Sequence, residues 1–395
     1  MKLFFILTGA VSLLLLGGCA TESPRPATHL TGDPIIDGNE MIQRGPARDR
    51  ILWQYRTALA AMHRGQFAEA KRLLDDALQS VGGISTDAAA RQARSYFHGE
   101  DRKTFIGEPY ERAMAYYHRG ILYWMDGEPD NARACFRSAA LQDADAENHE
   151  YAADYVLFDY LDGLASVKLG DDGSDALERA QKESKFGAPV AYDKKANVLV
   201  FLEFGSGPYK YATGEYRHEL RFAKGGSPVT SAQVRVANRL ALVTPYDDLY
   251  FQATTRGGRV MDHILVNKAI FKTTTDAVGD AAIISGAVLA AAPHSRHSDA
   301  GNVGLGLLAF GAVNKIVSGF TAPAADVRSW DNLPQFLSFT SLSLPPGQHP
   351  ATIEFKDSQG RVVPNLTKAI TINVAAGARD KVVFVSDRSV SPQSL

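Results

Sequence analysis

Asn197-Val198-Leu199-Val200-Phe201-Leu202-Glu203-Phe204 marks the point where this chain of 395 residues changes period. The eight residues are almost all apolar and are closed by Gly205-Ser206-Gly207-Pro208, which predicts a buried strand. Upstream, back to about Ile51, apolar residues recur at helical spacing. Downstream, short runs alternate with Gly- and Pro-rich turns. The fold class expected is α+β: helical repeats, then a mixed α/β region, then a small sandwich-like β module at the C-terminal end. The divisions are placed at 49–188, 193–335 and 336–388.

Composition narrows the function classes. The chain is 45% hydrophobic and 22% charged, which excludes wholesale disorder. Its formal net charge of −2 lacks the basic excess that phosphate binding needs, so no nucleic-acid partner is expected. Two cysteines cannot build a cysteine-rich zinc or disulfide scaffold.

The first residues bear on compartment. After Met1-Lys2, Leu3 to Leu16 is an almost unbroken apolar run, too short for a comfortable membrane span. It ends in Leu16-Gly17-Gly18-Cys19-Ala20, which resembles the bacterial lipobox. The resemblance implies a signal peptide at 1–18 and a covalent lipid on Cys19. Ala20, in place of Asp, implies the outer membrane with the protein facing the periplasm. An ordinary secretory signal with a chance cysteine is the alternative. Residues 19–48, rich in Pro, Gly, Thr and Asp, are expected to form a flexible tether. Cys135 is then left without a partner and reads as a buried small residue.

The helical half reads as hairpins. Leu52, Tyr55, Leu59 and Met62 share one face, Gly65-Gln66-Phe67 breaks the run, and Ala70, Leu73, Leu74, Ala77 and Leu78 form a second face. Glu111 to Ala140 repeats the plan around a turn at Asp126-Gly127-Glu128-Pro129, and a looser copy turns at Gly170-Asp171-Asp172-Gly173. The middle unit resembles a tetratricopeptide (TPR) repeat: Tyr116, Gly120, Tyr123, Gly127, Ala132, Phe136 and Ala139 fall on the motif's alternating large and small positions. The spacing of the turn glycines departs from that family's 34-residue period. The resemblance implies a groove for a protein partner, lined by Tyr117, Ile121 and Trp124. The competing expectation is that these three pack against the insert at Gly82–Lys103 or against the rest of the chain. The arginines of this half are interleaved with acids and read as a solvated face.

In the second half, Gly205, Gly207, Pro208 and Lys210 form a turn that lacks the P-loop pattern; it is either structural or presents Lys210 for binding. Ala277–Phe320 is apolar and Gly-spaced. It is either a buried helical hairpin or one that contacts lipid or drives self-assembly into a homo-oligomer. Asp326 and Arg328, two apart in apolar surroundings, predict a structural bridge with Trp330 as its cover. Nucleophile-elbow and zinc-protease motifs are absent, and His294 and His297 read as solvated loop residues. No catalytic residue, metal or cofactor is therefore expected, beyond the lipid on Cys19.

Three stretches taken together look like an uncharacterised group of repeat-bearing bacterial outer-membrane lipoproteins: Gly107–Arg137, Phe204–Lys210 and Ala325–Pro334. Members of that group are often encoded beside lipoproteins similar to penicillin-binding-protein activators. The resemblance implies a non-enzymatic scaffold in cell-envelope assembly. The alternatives are a self-assembling envelope component and, more remotely, a cell-wall or lipid hydrolase.

Overall fold

A computed structural model describes residues 30–83, 103–144, 154–215, 217–255, 325–377 and 379–395. The expected signal peptide, Cys19 and the apolar segment 277–320 lie outside the described residues. The chain is mixed α+β, with helices first and sheets after.

Among the described residues, seven α-helices come first: α1 Pro34–Arg44, α2 Arg50–His63, α3 Phe67–Gly83, α4 Pro109–Met125, α5 Pro129–Ala144, α6 Val156–Leu169 and α7 Ser174–Glu183. They stack as the hairpins α2–α3, α4–α5 and α6–α7. Each turn uses a glycine in the left-handed region, Gly65, Gly127 and Gly170 at φ of +72°, +81° and +92°. Within the hairpins, close approach needs a missing side chain. A Cβ on Gly120 of α4 would sit 2.7 Å from the Phe136 ring of α5, and one on Gly163 of α6 would sit 2.9 Å from the Ala176 Cβ of α7.

Of the tether expected over 19–48, helix α1 corrects the part at Pro34–Arg44, while residues 19–29 lie outside the described residues. Asp33 accepts the backbone N–H groups of Ile35 and Ile36 at 2.9 and 3.2 Å, and Pro34 takes the first helical position. Pro and Asp, read as linker composition, are here a helix start. Gly38 lets α1 lie against Thr57 of α2.

The strands are β1 Val198–Phe204, β2 Tyr209–Thr213, β3 Glu219–Ala223, β4 Val229–Val236, β5 Arg239–Val243, β6 Asp247–Asp248, β7 Phe336–Leu342, β8 Gly347–Asp357, β9 Lys368–Val374, β10 Lys381–Ser386 and β11 Gln393–Ser394, with a short helix α8 at Leu249–Thr254. One sheet runs β10-β1-β7-β6 and another β11-β9-β8-β4-β5, while β2 and β3 form a separate ribbon. β1 pairs in parallel with β10 (Val200 beside Val383) and antiparallel with β7 (Phe201 beside Phe339).

The interleaving corrects the boundary placed at 335/336. β1 comes from the region before it, yet both its neighbours come from the region after it, and β4 likewise pairs with β8. A strand with two apolar faces and two edges needs cover on four sides, and here residues 336–386 supply both edges. Residues 198–248 and 336–394 thus build one β unit.

Two cores explain why every residue of β1 is buried. Leu199 and Phe201 point to the helices, joining Tyr117, Ile121, Trp124, Leu337, Phe339 and Phe384 in the first core. Val198, Val200, Leu202 and Phe204 point the other way, joining Val234, Ile353, Phe355, Ile372 and Val385 in the second, between the two larger sheets. The order of layers is helices, first sheet, second sheet. The first sheet has no wet face, so its strands read as continuous apolar runs rather than alternating ones.

Candidate functional site

The stripe Tyr117, Ile121 and Trp124 lies on α4 and is buried. The Tyr117 and Trp124 rings lie 6.4 and 6.5 Å from the Phe201 ring of β1. The Trp124 indole N–H donates to Asp380 at 3.2 Å. The groove expected to receive a partner is therefore corrected: the chain's own sheet occupies it, because β1 must bury Leu199 and Phe201 against an apolar surface. In the same interface His118 Nε2 meets Glu203 Oε1 at 2.7 Å, both side chains fully buried. His63, stacked on Phe384, is pushed down to about 3 by burial and so stays neutral.

Lys210 is not presented to solvent, which corrects the second binding expectation. Its Nζ donates to Glu111 Oε2 at 2.6 Å and to the Arg328 carbonyl at 2.9 Å, with both charged side chains buried. The other Glu111 oxygen accepts the Trp330 N–H at 2.7 Å. Burial raises the Glu111 carboxyl, and Lys210 with the Trp330 N–H pulls it back. Gly205 turns at φ +81° and donates its N–H to Asp387, Gly207 lies against the Leu333 carbonyl, and Pro208 is buried. The turn thus aims Lys210 inward.

The Asp326, Arg328 and Trp330 strap sits over the same place. Arg328 donates to Asp326 Oδ1 and Oδ2 at 2.9 and 2.7 Å, to Asp49 at 2.6 Å and to the Lys103 carbonyl at 2.8 Å. Trp330 stacks on Tyr55 with centroids 4.6 Å apart. These groups join the helices, the β2–β3 ribbon and the strap.

A cleft of about 130 Å³ opens elsewhere, between the loop after α7, strand β6, helix α8 and the start of α6. Lys185, Phe186, Tyr246, Asp247, Phe251 and Gln252 line it. Asp247, on β6, accepts the N–H groups of Val156 and Leu157 at 3.0 and 2.8 Å and so caps α6 from another element. Burial pushes its carboxyl up to about 7, the helix N–H groups oppose that, and nearby Asp154 adds to it. Asp248 caps α8 through the Tyr250 N–H at 2.9 Å. Lys185 Nζ lies 3.0 Å from Asp154 Oδ2 and 4.0 Å from the centre of the Phe251 ring.

This convergence of aromatic walls with titratable groups is the usual mark of a small-ligand site. In the sequence, Asp247-Asp248 after Pro245-Tyr246 reads as a turn or helix cap. Asp154, Lys185 and Phe251 stand 31 and 66 residues apart, with no shared period to connect them. A larger cavity of about 340 Å³ lies over the second sheet, beside Arg235, Thr352, Thr371 and Pro392, with Arg235 its only charged group.

Among the described residues, no three His, Cys, Asp or Glu side chains are placed to hold a metal, and no helix is long and apolar enough to cross a membrane. Set against known proteins, the chain matches no family model, no curated protein and no solved structure.

Proposed function

We propose that this chain is a lipoprotein held through acylated Cys19 on the outer membrane, facing the periplasm, where it serves as a non-enzymatic adaptor for an envelope protein. Its hairpins are read as TPR-like repeats and its two larger sheets as a β-sandwich. The observation that carries the reading is the apolar run Leu3–Leu16 closing on Leu16-Gly17-Gly18-Cys19. Stacked hairpins with glycine turns support the repeat reading. Since the inner helices α2, α4 and α6 cover the sheet, the partner surface moves to the outward helices α3, α5 and α7 and the ends of the hairpins.

Metabolic labelling with a palmitate analogue tests the anchor. The parent is expected to take up label and fractionate with outer membranes, and Cys19→Ser to do neither. An unlabelled parent, or a Cys19→Ser chain that stays membrane-bound, contradicts the anchor. Crosslinking in cells followed by mass spectrometry tests the adaptor role. Reproducible crosslinks from α3, α5 or α7 to one envelope protein support it, and crosslinks confined to the chain itself contradict it.

A further inference from the structure

The ammonium of Lys185 sits where a ligand would. It is 4.0 Å above the Phe251 ring, a cation–π distance, and 3.0 Å from a carboxylate of buried Asp154. Asp247 and Asp248 line the same cleft, and the Asp154 carboxylate is the one that pairs with the lysine. The acids and rings are held by the fold. Asp247 is bonded to the start of α6, Asp248 to the Tyr250 N–H and the Gln335 amide, and Phe251 lies on α8. Lys185 is the exception: it comes from a loop, its side chain is 41% exposed, and four methylenes tether it. A surface ion pair alone would mean little. Here the pair borders a cavity with room for several waters, walled on one side by aromatic rings.

We propose that this cleft is a binding site for a small organic ammonium ion, and that Lys185 occupies the ligand's place when the ligand is absent. The lysine swings out as the ligand enters. The incoming cation takes the Phe251 face and the Asp154 charge, and the rest of the frame stays put. This goes beyond the adaptor reading and does not depend on it, because neither Cys19 nor the outward helices contribute to the cleft.

Displacement can be read on the unaltered, full-length chain in detergent. Tetramethylammonium chloride is titrated against equimolar sodium chloride, and lysines are pulsed with an acetylating ester and quantified by mass spectrometry. Lys185 modification should rise at least threefold with tetramethylammonium while other lysines stay constant. No selective rise overturns the proposal.

A second measurement uses saturation-transfer NMR on Lys185→Ala. This variant should bind tetramethylammonium at least tenfold more tightly than the parent and should not bind tert-butanol, its neutral isostere. Adding Phe251→Leu should abolish the gain. Equal affinity in parent and variant, or equal binding of tert-butanol, counts against the site. Should Lys185→Ala fail to fold, the displacement experiment decides alone.

Discussion

Burial holds the Asp247 carboxyl near 7 where an exposed aspartate titrates near 3.8, so folding takes up a proton between those values. The sign follows from the direction of the shift. Stability is lost as pH rises from about 4 to about 7, by up to a few kcal/mol, and the penalty is constant above that. Asp247→Asn removes the titration but presents an amide N–H₂ to one of the two helix N–H groups, so it begins less stable than the parent. The difference in melting temperature between parent and variant should shrink from pH 5 to pH 8. A constant difference would show that Asp247 does not titrate in this range. At the same scale, the Glu111–Lys210 contact had no trace in the sequence. Its members are 99 residues apart, and nothing in Pro208-Tyr209-Lys210 signals that the lysine turns inward to meet a helix cap.

At the scale of elements, α4 shows why an aromatic stripe is ambiguous. The 3.6-residue period places Tyr117, Ile121 and Trp124 on one face, but period alone does not say what covers that face. Here the cover is β1, so truncation should act on stability. Tyr117→Ala and Trp124→Ala are each expected to cost about 3–5 kcal/mol by chemical denaturation, as for large aromatic side chains lost from a core. Changes below about 1 kcal/mol would mean that the sheet does not depend on this face. The longer helices were legible because their apolar positions recur over three or more turns, with glycines at the turns. α1 was not, because Asp33-Pro34 resembles linker composition and its one buried apolar side chain is Ile35. The strands were legible as runs, but their partners were not: in β1 and β10 burial on both faces erases the alternation that would fix register, and in β8 and β9 alternation marks the buried face without naming the neighbouring strand.

At the scale of the whole molecule, the first core takes side chains from α2, α4, α6, β1, β7 and β10. Helices and sheets therefore share one interior, and one unfolding transition is expected. Helical circular dichroism and the fluorescence of interface residues Trp124 and Trp330 should trace superimposable denaturation curves. Two separated midpoints would mean that the helical layer stands without the sheet. The α+β class could be read from the change of period near Asn197, but the topology could not, since β1 to β10 spans some 180 residues without a marker. That span has a consequence for synthesis. β1 has no neighbour on either edge until Phe336 onward has been made, and its second edge waits for Lys381. A ribosome-bound chain must hold β1 with both edges unpaired, and with its Val200 and Leu202 face still lacking Ile353, Phe355 and Ile372, while more than a hundred further residues are made. A nonsense codon before residue 381 would then leave a sticky intermediate for proteases to clear rather than a shorter working protein.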